Sequence, residues 1–145
     1  VKRSFVADAS VAIAWVHPAQ ATAETDAMLA RLAAGDSLVV PALWPLEVAN
    51  ALTILRRRRK LTPDEARTAI EIIRDLPTVI DHEAAAIAFS RLVPLASEHE
   101  LTVYDATYIE LALRRQLPLA SNDAAMKKAA IFAGVDLWQS DVSKK

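Results

Sequence analysis

Five short apolar runs, at residues 5–7, 38–40, 78–80, 119–120 and 135–138, are separated by stretches long enough to hold helices. Gaps of that length exclude hairpins. Strands joined this way run parallel, and right-handed crossovers lay the helices over the sheet. The expected fold class is α/β, with a central parallel β-sheet of about five strands flanked by helices on both faces. The 145 residues suit one domain, because a chain of this size buries roughly 68–70% of its unfolded surface. That domain is expected over residues 1–140, with a C-terminal tail at 141–145. The chain begins at Val1 instead of Met, which leaves room for upstream residues.

Helix boundaries are also readable. Thr22 is a cap for a helix carrying Met28, Leu29 and Leu32 and stopped at Gly35, and Pro45 suits the first turn of a helix through Leu52 and Leu55. Thr62, Pro63, Asp64 and Glu65 form the clearest start: Thr62 caps, Pro63 needs no N–H partner there, and Glu65 reaches back in a capping box. That helix must end near Leu76 and Pro77. A stretch over residues 83–98 contains Pro94, which kinks or divides it, and further helices are expected over 103–115 and 123–133.

Composition narrows the function. Lys and Arg number 17 against 18 Asp and Glu, a net charge of −1, so no overall positive field draws in nucleic acid, and 53% hydrophobic content excludes disorder. Without cysteine there is no disulfide framework, thiolate zinc site or cysteine nucleophile, and any metal must bind oxygen or imidazole. Gly35 and Gly134 lie too far apart for a dinucleotide-binding turn or a phosphate loop. No apolar stretch approaches the roughly 20 residues of a membrane span, so a soluble cytoplasmic protein with no membrane contact is expected.

In an open parallel sheet, ligands bind beyond the carboxyl ends of the strands. Asp8 and Asp123 each follow an apolar run directly, while Glu47 and Asp105 are expected in the first turns of the helices after Val40-Pro41 and after Val103. Taken singly, such acids are ordinary partners of a helix macrodipole. Their neighbours change the weighing. Ser10 follows Asp8 by two positions, Asn50 follows Glu47 by three, and Ser121 precedes Asp123 by two. Carboxylates gathered within ~4 Å would repel by about 4 kcal/mol per pair at an effective dielectric near 20. No basic residue adjoins any of the four in sequence. Two escapes remain, proton sharing with raised pKa values or a divalent cation, and oxygen-only ligands favour Mg²⁺ or Mn²⁺ with a phosphodiester as substrate.

Four blocks then carry a family resemblance: Val6-Ala7-Asp8-Ala9-Ser10; Pro45-Leu46-Glu47-Val48-Ala49-Asn50-Ala51-Leu52; Val103-Tyr104-Asp105-Ala106-Thr107-Tyr108; and Leu119-Ala120-Ser121-Asn122-Asp123. Their order and spacing resemble PIN-domain ribonucleases, above all VapC-type toxins of VapBC toxin–antitoxin systems. The resemblance implies Mg²⁺- or Mn²⁺-dependent cleavage of RNA by an endoribonuclease, with Asp8, Glu47, Asp105 and Asp123 as catalytic and metal-binding acids. It implies supporting roles for Ser10, Asn50 and Ser121, and assembly as a homodimer or a larger hetero-oligomer with a VapB-type antitoxin. Two rival classes stand beside it. An aspartyl-phosphate phosphotransferase would want a second acid where Ser10 stands, and a catalytically inactive interaction module would use the acids only as helix caps.

Other features have plainer readings. Arg56, Arg57, Arg58, Arg59 and Lys60 fan around a helix end, where cations are favoured, although a phosphate-binding patch is the competing reading; Arg114 and Arg115 are read as helix-end cations too. His17, His82 and His99 lack zinc-site spacing and read as surface or loop residues. Trp15 and Trp44 are expected to pack instead of stacking on a base, and Asp81 is expected to cap a helix starting at Glu83.

Overall fold

The computed structural model describes residues 2–140, so the expected tail at 141–145 lies outside the described residues. In chain order the elements are β1 (Ser4–Ala7), α1 (Ala9–Val16), a 3₁₀ turn (Pro18–Gln20), α2 (Ala23–Ala33), β2 (Ser37–Pro41), α3 (Leu43–Arg57), α4 (Pro63–Asp75) and β3 (Thr78–Asp81). A π-helical turn (Ala88–Leu92), α5 (Val93–His99), α6 (Val103–Arg115), β4 (Leu119–Ala120) and α7 (Ala124–Ala133) complete it.

All the strand pairs are parallel, in the spatial order β3-β2-β1-β4. β1 lies inside the sheet, and its Phe5, Val6 and Ala7 are all buried, as expected of a strand covered on both faces. The chain moves outward from β1 through β2 to β3, then returns to place β4 on the other side of β1. That reversal divides the helices: α1 packs with α2, α3 and α4, whereas α6 packs with α5, α7 and the π-helical turn. Val6, Leu38, Val40, Ile109 and Leu119 are among the residues that fill the core between these layers.

Local signals act as expected. Thr22 and Thr62 cap α2 and α4 in reciprocal capping boxes, each cap being worth about 1 kcal/mol. Gly134 adopts φ +89° and closes α7 in the left-handed region, where a side chain would be strained. Trp15 Nε1 donates to the Thr25 carbonyl at 2.8 Å, and Trp44 is buried, so both tryptophans pack inside.

Three expectations need correction. The sheet has four strands among the described residues instead of about five, because residues 135–138 form only an isolated parallel bridge, Leu119 to Leu137. Two bonds accompany it, Leu119 N–H to the Asp136 carbonyl and Trp138 N–H to the Leu119 carbonyl, both 2.9 Å, and a two-residue β4 offers no longer ladder. No helix starts at Glu83: the chain makes turns and one π-helical turn before α5, with Pro94 in α5's first turn. Glu47 sits in the second turn of α3, since that helix begins at Leu43.

Candidate active site at the carboxyl edge of the sheet

The crevice between β1 and β4 is where the strand order reverses, the usual ligand position in an open parallel sheet. Register builds it. Ala7 pairs with Ala120, so one step further Asp8 meets Ser121. Asp8 caps α1 and is 7% exposed, with both carboxylate oxygens engaged. Its Oδ1 accepts from Ser10 Oγ at 2.5 Å and Ser10 N at 3.1 Å, and its Oδ2 accepts from Ser121 Oγ at 2.5 Å.

Each serine also ties down the loop after β4. Ser10 Oγ accepts from Asn122 N at 3.0 Å, and Ser121 Oγ accepts from Asp123 N at 3.0 Å. The Asp8 carboxylate is therefore fixed by two hydroxyls that are themselves fixed. Asp123 caps α7, its Oδ1 accepting from Ala125 N at 2.8 Å and Met126 N at 3.2 Å. Thr102 caps α6 through Asp105 N at 3.0 Å, leaving the half-buried Asp105 carboxylate in the first turn without capping duty. Glu47 Oε1 accepts from Tyr108 Oη at 2.5 Å, joining α3 to α6. Asn50 is exposed and makes no side-chain hydrogen bond to these acids.

Electrostatics shows which acids share one field. The Asp8 pKa is raised because burial outweighs the hydrogen bonds that favour its charge. Glu47 is raised by burial, against the Tyr108 hydrogen bond, and further by the charges of Asp105 and Asp8. Asp105 is raised by burial and by the charges of Asp123 and Asp8. Tyr108, buried and bonded to Glu47, is held protonated well beyond the usual tyrosine range. Residues from the β1–α1 junction, α3, α6 and the β4–α7 loop thus converge on a rim where, among the described residues, no cationic side chain is bonded to the acids.

Such a donor set fits a hard divalent cation that takes oxygen ligands and keeps several waters. Among the described residues no three carboxylate or imidazole side chains form a ready-made metal cage. The rim suits a cation bound through one or two carboxylates plus water and substrate, and not a closed structural site.

Tyr108 and Thr102 join the site only in the folded structure, through Glu47 and Asp105. Tyr108 had a readable signal, since it follows Asp105 by three positions and shares its helix face. The role of Thr102 is an ordinary cap that a nearby acid makes useful.

Similarity to known proteins follows the same outline. A search of curated proteins finds no match. Among solved structures the chain is similar to PAE2754 from Pyrobaculum aerophilum, at 22% identity and TM-score 0.62, covering 89% of this chain and 87% of that one. It is also similar to FitAcB from Neisseria gonorrhoeae, at 18% identity and TM-score 0.63, with 94% and 97% covered. At these identities the likeness is one of fold. The PIN domain profile matches residues 5–131, a span that holds every acid of the rim, and the chain therefore belongs to the PIN domain family.

Proposed function

We propose that this protein is a Mg²⁺- or Mn²⁺-dependent endoribonuclease that cleaves RNA phosphodiester bonds, the VapC-type toxin of a type II toxin–antitoxin pair. The observation that carries this reading is the rim itself: Asp8 fixed through both oxygens and joined in one field by Glu47, Asp105 and Asp123, with no bonded cation among the described residues. Asp8 and Glu47 would hold the metal, Asp8 rigidly through Ser10 and Ser121 and Glu47 through Tyr108. When bound, the cation supplies Lewis-acid polarisation of the phosphodiester and offsets the mutual repulsion of the acids. Asp105, half-exposed and with a raised pKa, is suited to accept a proton from the attacking water, and Asp123, whose charge acts on Asp105, is suited to orient that water. No covalent nucleophile takes part. Against a phosphoryl-acceptor role for Asp8, Ser10 stands two residues on, where that class of enzyme wants a second acid.

The four blocks that resemble VapC-type toxins support a VapB-type antitoxin as partner, a homodimeric or larger toxin–antitoxin assembly, and a cytoplasmic site of action. Among the described residues no helix is long and apolar enough to cross a membrane. The test is to sequence RNA ends after induction of the protein and of its Asp8→Asn variant. New ends are expected with the parent alone, and identical ends in both would remove the metal-site reading. Titration calorimetry with Mg²⁺ or Mn²⁺ supplies a second readout, with uptake expected by the parent and lost in the variant.

A further inference from the structure

The cluster at residues 56–60 looks different once folded. Helix α3 ends at Arg57, Arg58 is its C-cap, and Arg59 turns the chain with φ +57°. Only Arg56 serves the helix end, its guanidinium donating to the Leu61 carbonyl at 2.8 Å. Arg57, Arg58, Arg59 and Lys60 are exposed at the tip of the α3–α4 hairpin and make no side-chain hydrogen bond or ion pair among the described residues. Five arginines elsewhere face acids: Arg31 faces Asp36, Arg67 faces Asp64, Arg91 faces Glu110, and Arg114 and Arg115 face Asp81. Arg74 is a single exposed cation on α4 with no such partner among the described residues, not a cluster. Arg57 and Arg58 end the helix while Arg59 and Lys60 lie in the turn after it, so the four cations are consecutive at one tip instead of spread along the helix.

Their placement relative to the rim is specific. Glu47, Ala51, Ile54 and Arg58 follow one another at helical spacing, so Arg58 stands on the Glu47 stripe of α3, eleven positions and about 16 Å further along the axis. A shallow groove of about 300 Å³, lined by Ala9, Ser10, Ile13, Ala51, Ile54 and Leu55 among others, borders the middle of that stripe beside Ser10 of the rim. A polyanion entering a rim of four carboxylates is repelled there, in a chain whose net charge is −1. Unneutralised cations at a fixed distance along the same helix offset that repulsion.

We infer that Arg57, Arg58, Arg59 and Lys60 form a phosphate-binding anchor for single-stranded RNA, holding the strand a few nucleotides from the bond cut at the acid rim. The inference rests on the ribonuclease reading above. The anchor touches the RNA backbone only, so it adds affinity without sequence preference and makes binding salt-dependent.

The test uses a 2′-O-methyl oligoribonucleotide, which resists cleavage, with binding followed by fluorescence anisotropy over a salt series. Compared with the parent, R57Q/R58Q/R59Q/K60Q is expected to bind on the order of 10²-fold more weakly near 0.1 M salt. The slope of log affinity against log salt should flatten by about 0.7 for each phosphate that the variant fails to neutralise, approaching 3 for all four. On cleavable RNA the loss should fall on KM, with kcat changed little. Arg58→Glu, a single exposed change, guards against misfolding of the quadruple variant and should also weaken binding and flatten the slope. R57K/R58K/R59K should retain most of the affinity, since phosphate needs the charge more than the guanidinium fork.

Unchanged affinity and slope in the glutamine variant would overturn the anchor, and so would normal RNA binding combined with lost affinity for an acidic protein partner. Failure of the ribonuclease reading is separately visible: Asp8→Asn would then cleave like the parent, whatever the hairpin variants do.

Discussion

Two buried aspartates sit at carboxyl ends of strands in this sheet and live in opposite surroundings. Asp8, after β1, is 7% exposed and held only by hydroxyls and backbone N–H groups, and its pKa is raised. Asp81, ending β3, is 5% exposed and accepts from Arg114 Nη1 and Nη2 at 2.9 and 2.8 Å and from Arg115 Nε and Nη2 at 3.1 and 2.9 Å. Those guanidiniums hold its pKa far below the usual carboxylate range. Glu110 extends this second cluster by accepting from Arg114 Nε at 2.8 Å. Asp81 is thus neutralised from within and serves the fold. Asp8 has no cationic partner among the described residues, which fits the metal-binding role proposed for it.

The largest effect is expected at Asp8. Asp8→Asn should abolish RNA cleavage while leaving the metal-free protein as stable as the parent or slightly more so, because a buried charge is removed. Retained cleavage together with ~1 kcal/mol lost stability would instead make Asp8 a plain helix cap. Asp81→Ala should behave in the opposite sense. Removing one side of a buried ion cluster typically costs 3–5 kcal/mol, and Arg114 and Arg115, 27% and 40% exposed, recover part of their hydration, so about 3 kcal/mol is expected in denaturant unfolding. A change below ~1 kcal/mol would remove the structural role assigned to this cluster.

Acidity sharpens the contrast. Asp8, Glu47 and Asp105 have folded pKa values raised above their unfolded ones, so their stabilising contribution is present at low pH and lost as pH rises through the raised values. Asp81 is depressed, so its contribution is present above its unfolded pKa and lost as pH falls toward the folded value. Metal-free Tm should therefore decline as pH rises above the ordinary carboxylate range and through the raised values, less so in Asp8→Asn, and Mg²⁺ should reverse that decline. A neutral-side Tm indifferent to both Mg²⁺ and the substitution would contradict the expectation. The smallest effect is expected at Tyr108. Tyr108→Phe leaves Glu47 without its donor and should weaken Mg²⁺ binding roughly tenfold in calorimetry, at a stability cost of ~1 kcal/mol. Unaltered Mg²⁺ affinity would detach Tyr108 from the site.

Much of this was legible in the one-dimensional pattern. Thr22, Thr62 and Gly134 act within a turn of their own position, so their residue types were enough to mark helix ends. Asp8 and Asp123 were legible for a related reason: each follows a strand end, and a parallel sheet gathers its strand ends on one edge, whereas Asp105 follows the α5–α6 connection with no strand before it and reaches the rim only through the packing of α6. The failures involved partners remote in sequence. Asp81 looked like a cap for Glu83, and it does accept from Glu83 N at 3.1 Å, but Arg114 and Arg115, more than thirty positions away, determine its charge state. The run at residues 135–138 has strand-like composition, yet its bridge partner belongs to a two-residue strand.

Chain order and residue type alone determined a parallel α/β layout with carboxylates presented at one edge, because short-range sterics and strand direction leave little choice. Only the tertiary structure decided which of the acids would be neutralised by arginine and which left without a cationic partner among the described residues, which tyrosine would hold Glu47, and which of the five cations would serve the helix end and which four would be left exposed at the hairpin tip. Those outcomes depend on distances between elements far apart in the chain, and charge interactions fall off with distance through space and not along the sequence.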